Sequence, residues 1–243
     1  MLPERFQFPA VAFGAFCLLL IYRIWASYTN ELPLFVDEAY YWFWAQSLDW
    51  GYYSKPPMIA ATIALTTSIC GDGEFCVRLA PLFLHPATAL LIYLTGRKLF
   101  NQGVATWGAA LYLTMPAISL SSMVISTDAL LLFFWAFALW VLVHIDDDPE
   151  NWWPWVVIGI IGGLGLLSKY TMAAFAFSAL LLFIVRGRFW QLSVLRGSAI
   201  AVSLATLLLL PNLLWNAEMG FPTLQHTAEI TRVGERALNL SEF

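Results

Sequence analysis

An all-α bundle of membrane-spanning helices is the fold this sequence predicts, on three observations. Of its 243 residues, 60% are hydrophobic and 12% charged, about half of the roughly 25% charge usual in a soluble domain. Mean hydropathy is +0.72. Apolar stretches approaching the ~20 residues that cross a bilayer as a helix follow one another along the chain, which a soluble core does not require. The net charge of −4, with no basic block, excludes a nucleic-acid-binding role. Chemistry is therefore sought in the polar residues that interrupt the apolar ones.

About seven spans are expected, at 9–27, 78–96, 104–122, 127–145, 153–168, 171–186 and 192–214. The first is preceded by Arg5 against Glu4 and followed by no clean small-x-small cleavage site, so it reads as a retained span and not a secretory signal. Residues 57–70 fall in the ~10–14-residue class of re-entrant or interfacial segments. Parity decides their placement. The short loops GRKLFNQG, with Arg97 and Lys98, and VRGRFWQLSVLR, with Arg186, Arg188 and Arg196, both belong on the cytoplasmic side by the positive-inside rule. With seven spans they reach that side together only if 57–70 lies along the outer surface. The acidic loop HIDDDPENWW then shares the cytoplasmic side, acidic residues having little weight in orientation. No internal repeat is visible.

This topology makes 1–243 a single transmembrane domain, with 28–77 an outer juxtamembrane loop bearing outward-facing helices. The polar clusters VDEAYY, YYSKPP, ISTD and LLSKYT and the loop NAEMGFPTLQHTAEITR all emerge on the outer face. The polar ending NLSEF reads as the middle of an amphipathic loop, so the chain is expected to be the N-terminal part of a longer protein. Three cysteines lack metal-ligand spacing. Cys17 is mid-span packing, while Cys70 and Cys76 flank the loop GDGEF, where an oxidising face would allow them to pair.

Each polar candidate has a bland reading beside a functional one. Asp37 and Glu38 open a short helix in which Asp37, Tyr40, Tyr41 and Trp44 share a face; helix capping and an interfacial aromatic belt would use the same residues. Lys55, made extended by Pro56 and Pro57, is either a snorkelling anchor or a point charge for a lipid phosphate. Asp128, behind Ser126 and Thr127, is either a helix cap or a functional ionisable group at the membrane edge. Lys169 would need an anionic partner if buried, and Asp128 or a phosphate would serve. Arg78 and His85 read as anchors of their span. His226 and Arg232, in the last outer loop, are positioned to contact an anionic ligand, although a lone histidine is more often structural.

Together, VDEAYYWFWAQSLDWGYYSKPPM, GDGEFCVRLAPLFL, the stretch from GRKLFNQG through ISTDALLLFFW, and GGLGLLSKYT resemble the polyprenyl-phosphate-dependent integral-membrane glycosyltransferases. That group includes protein O-mannosyltransferases and lipid A aminoarabinose transferases. The motifs occur in the family's order over roughly residues 30–175, and are individually weak but jointly specific. The resemblance implies a GT-C-like fold and Asp37 as catalytic carboxylate, with Glu38 and Asp128 completing the catalytic set. It implies that Lys55 and Lys169 hold the donor phosphate, leaving Tyr40, Tyr41, His226 and Arg232 as further substrate contacts. It also implies a polyprenyl-phosphate sugar donor, membrane-lipid surroundings, an acceptor lipid, glycan or protein, and a bacterial inner membrane with the site facing the periplasm. Family members commonly carry an acid before Lys-Pro-Pro that in some joins a divalent metal site; Ser54 stands there instead, which leaves metal binding open. The implied reaction is an inverting transfer in which a carboxylate takes the acceptor's proton and cations stabilise the departing phosphate. Two other readings are a transporter or lipid flippase using Asp128 and Lys169 along a path, and an inactive membrane subunit.

Overall fold

The computed structural model describes residues 4–223, 225 and 226, with side chains from Phe13 onward. Its elements are helices, with no strand among the described residues: α1 (Glu4–Tyr28), α2 (Val36–Ala45), α3 (Met58–Cys70), α4 (Glu74–Val77), α5 (Leu79–Leu99), α6 (Gln102–Thr114), α7 (Pro116–Ser121), α8 (Thr127–Asp147), α9 (Trp152–Ser168), α10 (Ala173–Val185) and α11 (Leu192–Glu218). A 3-10 turn, Tyr170–Met172, joins α9 to α10. Among the described residues, three stretches are long and apolar enough to cross a membrane: Glu74–Leu99, Thr127–Asp147 and Leu192–Glu218.

The expected span 104–122 is broken in two. Pro116 has no N–H to continue α6, and Met115 before it is extended at ψ 133°, as the residue preceding a proline is driven to be. The break leaves α6 carbonyls to be satisfied by other groups. Arg23 of α1 supplies one, its Nη2 donating to the Leu113 carbonyl at 2.6 Å.

The bundle is organised around α8, whose residues Leu130, Phe134, Ala138, Val141 and Ile145 are all buried and recur at the three- and four-residue spacing of one helix face. This stripe is part of the core, with Trp155 and Ile161 of α9 and Phe175 and Phe183 of α10. Helices α9 and α11 approach more closely than large side chains would permit. A Cβ on Gly159 would lie 2.8 Å from the Ala201 backbone, and one on Gly163 would lie 2.9 Å from Leu208. The pair Gly159 and Gly163 is a small-xxx-small ridge, the device that lets apolar helices pack where lipid supplies no hydrophobic drive.

Ion pairs mark one end of the bundle. Lys98 meets Asp147 at 2.6 Å, and Asp146 takes Arg186 at 3.2 Å and Arg188 at 3.1 Å. The acidic loop after α8 thus lies among the basic loops because its carboxylates pair with them. The polar clusters of the sequence gather at the opposite end. Helix α3 has both its flanks there: Tyr52 before it accepts a hydrogen bond from Thr223 at 3.1 Å, and Cys70 at its close is disulfide-bonded to Cys76. Both flanks of α3 are thus tied to the end that carries the polar clusters.

Candidate active site

The approach to α2 is held by a buried ion pair. Glu38 and Arg78 are 0% and 2% exposed in their side chains, with Oε2 and Nη2 2.7 Å apart. Arg78 also donates to the carbonyls of Leu32 and Pro33 at 2.9 Å. Glu38 accepts the backbone N–H of Phe35 at 3.0 Å and that of Ile125 at 2.9 Å. Every lone-pair direction of this carboxylate is engaged, the condition under which a buried pair can be tolerated. Glu38 therefore joins three segments, the strand-like entry to α2, the start of α5 and the entry to α8. Its neighbour Asp37 is different: its carboxylate is exposed and makes no hydrogen bond or ion pair among the described residues.

Asp37 and Asp128 both face Tyr41. This ring is only 4% exposed, and burial, then the charges of Asp37 and Asp128, push its hydroxyl up from 10.0 to about 12. A phenol in that state is a hydrogen-bond donor at any physiological pH and never a base. Asp128 was equally readable as a cap for α8, but neither it nor Ser126 caps the helix: Ser126, at the N-cap position, makes no side-chain cap bond, and Asp128 Oδ1 instead accepts from Lys169 Nζ at 2.6 Å. Asp37, Tyr41, Asp128 and Lys169 thus come from three separate segments to one locality, where a donor, a free carboxylate and a paired cation stand together.

A second network secures the loop that leads to Lys55. Asn212, fully buried in α11, donates to the Trp50 carbonyl at 2.7 Å and accepts from the Tyr170 hydroxyl at 2.7 Å. Asn216, one turn on, donates to the same hydroxyl at 3.2 Å. Its Oδ1 is buried without a partner among the described residues. Trp215 Nε1 donates to Asp49 at 2.9 Å, and a Cβ on Gly51 would lie 2.3 Å from the Trp215 ring, so the loop passes α11 at a point only glycine fits. Tyr52 stacks on Trp44 of α2 at 4.7 Å, and its N–H donates to the Lys55 carbonyl at 3.2 Å. Lys55 itself is half-buried with no ion-pair partner among the described residues. Burial, partly opposed by a hydrogen bond from the Asp49 backbone, raises the Tyr52 phenol.

The remaining candidates are more peripheral. Tyr40 is 58% exposed. The ring of His226 lies 5.0 Å from that of Tyr53. Arg232 lies outside the described residues. No three His, Cys, Asp or Glu side chains converge to hold a metal ion among the described residues. With Ser54 in the acid's place and Asp128 engaged by Lys169, the donor set among the described residues does not fit a divalent ion.

The family model described as dolichyl-phosphate-mannose-protein mannosyltransferase matches residues 54–215. A lipid A galacturonosyltransferase, RgtD of Rhizobium johnstonii, is 37% identical over 219 residues, 87% of this chain and 44% of the relative. A lipopolysaccharide core galacturonosyltransferase, RgtA of the same organism, is 24% identical over 202 residues, 82% of this chain and 40% of the relative. An undecaprenyl phosphate-alpha-4-amino-4-deoxy-L-arabinose arabinosyl transferase of Pseudomonas fluorescens is 27% identical over 127 residues, 50% of this chain and 23% of the relative. The chain spans less than half the length of these curated relatives. No solved structure matches.

Proposed function

The chain belongs to the dolichyl-phosphate-mannose-protein mannosyltransferase family, and from that premise we propose that it transfers a sugar from a polyprenyl-phosphate donor to an acceptor hydroxyl. The observation that carries this reading is the meeting of an unpaired carboxylate, Asp37, with the donor Tyr41 and the Asp128–Lys169 pair. Asp37 takes the proton of the acceptor hydroxyl as that oxygen attacks the anomeric carbon, a general-base role. The bond from that carbon to the phosphate oxygen breaks, and its electrons leave on the polyprenyl phosphate. Lys169 and Lys55 stabilise the charge that develops there. Tyr41 and Asp128 hold Asp37 and Lys169 in register, and Glu38 sets the position of α2. Attack opposite the departing phosphate inverts the anomeric centre. The relatives' names point to a lipid or lipopolysaccharide acceptor. The Cys70–Cys76 bond supports an oxidising compartment at the site's end, and hence a bacterial inner membrane with the site toward the periplasm.

The test is reconstitution in lipid with a radiolabelled polyprenyl-phosphate sugar, comparing wild type with Asp37→Asn. Loss of a general base lowers turnover by about 10²–10⁴-fold, with donor binding retained. Turnover undiminished in Asp37→Asn would remove Asp37 as the base. Solute movement without sugar transfer would favour the transporter reading.

A further inference from the structure

Arg23 is a charge inside the bundle with no opposite charge beside it among the described residues. It sits on α1 five residues before that helix closes at Tyr28, about 7.5 Å below the end at 1.5 Å per residue, and is 5% exposed. Its Nη2 makes both of its bonds, to the Leu113 carbonyl at 2.6 Å and to Ser119 Oγ at 2.9 Å, and both acceptors are neutral. The other buried arginine, Arg78, has Glu38 at 2.7 Å; Arg23 has no carboxylate within ion-pair distance among the described residues. A buried charge left uncompensated is strongly unfavourable, and the negative end of the α6 dipole at Leu113 offsets only part of it.

Two further observations surround it. Ser27, one turn on along the same face of α1, is 3% exposed, and its hydroxyl has no partner among the described residues. Two turns back along that face is Phe16, which with Phe13 of α1, Leu90 of α5, and Ala109 and Leu113 of α6 lines an apolar cavity of about 490 Å³. That volume is within the ~300–1,000 Å³ of small-molecule sites. Leu113 belongs to both features, its side chain to the cavity and its carbonyl to Arg23.

We propose that this is a lipid site: an anionic phospholipid of the surrounding bilayer sets its phosphate against Arg23 and Ser27 and lays one acyl chain in the groove between α1, α5 and α6. The depth suits it, because a group a few ångströms below a helix end lies near the headgroup boundary. The chemistry suits it as well, since Arg23 Nε and Nη1 make no hydrogen bond among the described residues and a guanidinium binds phosphate through more than one N–H. The site is separate from Asp128 and Lys169, which belong to α8 and the end of α9, whereas α1 packs on α5 and α6. It does not depend on sugar transfer.

Native mass spectrometry and thermal melting of the purified chain, titrated with phosphatidylglycerol or phosphatidylcholine, test it. Wild type should retain one phosphatidylglycerol selectively and melt higher with it. Arg23→Gln should weaken retention about tenfold or more, a loss of one decade in Kd, and Arg23→Lys should recover part. Ala109→Trp, which fills the groove with Arg23 intact, should weaken retention too, and it decides the matter if Arg23→Gln does not fold. Equal retention of the two lipids by wild type, or phosphatidylglycerol retention unchanged in both Arg23→Gln and Ala109→Trp, would overturn the proposal. Preferential retention of a polyprenyl phosphate over phosphatidylglycerol would overturn the phospholipid assignment.

Discussion

Replacing Arg78 with methionine should be among the most damaging single changes in the chain, and its size can be worked out from the contacts. The substitution keeps most of the buried stem but removes the guanidinium. Glu38, 0% exposed, is then left with only the N–H groups of Phe35 and Ile125, and the carbonyls of Leu32 and Pro33 lose their donors. Breaking one side of a buried pair costs about 3–5 kcal/mol. At about 2–4 °C of melting temperature per kcal/mol for a chain of this size, the midpoint should fall by roughly 6–20 °C. The assay is tryptophan fluorescence on heating in detergent, for wild type, Arg78→Met, Glu38→Leu and the double variant. The cycle should give a favourable coupling of about 0.5–3 kcal/mol. The double variant should still not reach wild type, because the four backbone groups stay unpaired and each orphan costs about 1–3 kcal/mol. A fall smaller than about 3 °C for Arg78→Met, or strictly additive single effects, would refute the keystone role of the pair.

Three other outcomes are expected. Tyr41 holds its proton to about 12 in the folded chain against 10.0 unfolded, so the folded state is not penalised below pH 10 and loses stability as pH climbs from 10 through 12. Tyr41→Phe should remove that alkaline loss, about 3 kcal/mol at 1.36 per unit, and lower sugar transfer at neutral pH, as melting against pH and turnover will show. Asn212→Ala frees the Trp50 carbonyl and the Tyr170 hydroxyl and should raise KM for the donor more than it lowers kcat, because Lys55 and Lys169 lose their common support; an unchanged KM counts against that role. Thiol alkylation of the unfolded chain should modify Cys17 alone until a reductant is added, since Cys70 and Cys76 are joined; labelling of either without reductant contradicts the bond.

Much of the fold was legible because a bilayer imposes a length and a composition on what crosses it. The starts of α8, α9 and α11 fall within two residues of the hydropathic boundaries. What hydropathy misses is the single polar residue in an apolar run, since a window averages it away. The break at Pro116 was written in the sequence as Met-Pro, yet 104–122 stays apolar throughout and reads as one span. Asn212 and Asn216 stand four apart in LLLLPNLLWN, the spacing of one helix face, and an amide buried in lipid must find a partner; a hydropathy window absorbs both into the span.

The partners themselves were not legible. Glu38 finds Arg78 at a separation of 40 residues and Ile125 at 87, and no local pattern encodes either. Asp37 and Glu38 are adjacent in sequence, but adjacency on a helix turns neighbouring side chains about 100° apart. One therefore enters the core and the other faces the solvent. The same rotation explains how a two-residue acidic motif serves two ends: its buried member fixes the approach of α2 to α5 and α8, and this fixes where its exposed member stands relative to Asp128 and Lys169. A substitution at Glu38 should accordingly depress both melting temperature and turnover, whereas Asp37→Asn should depress turnover alone. The contrast between two adjacent carboxylates separates a positioning role from a catalytic one.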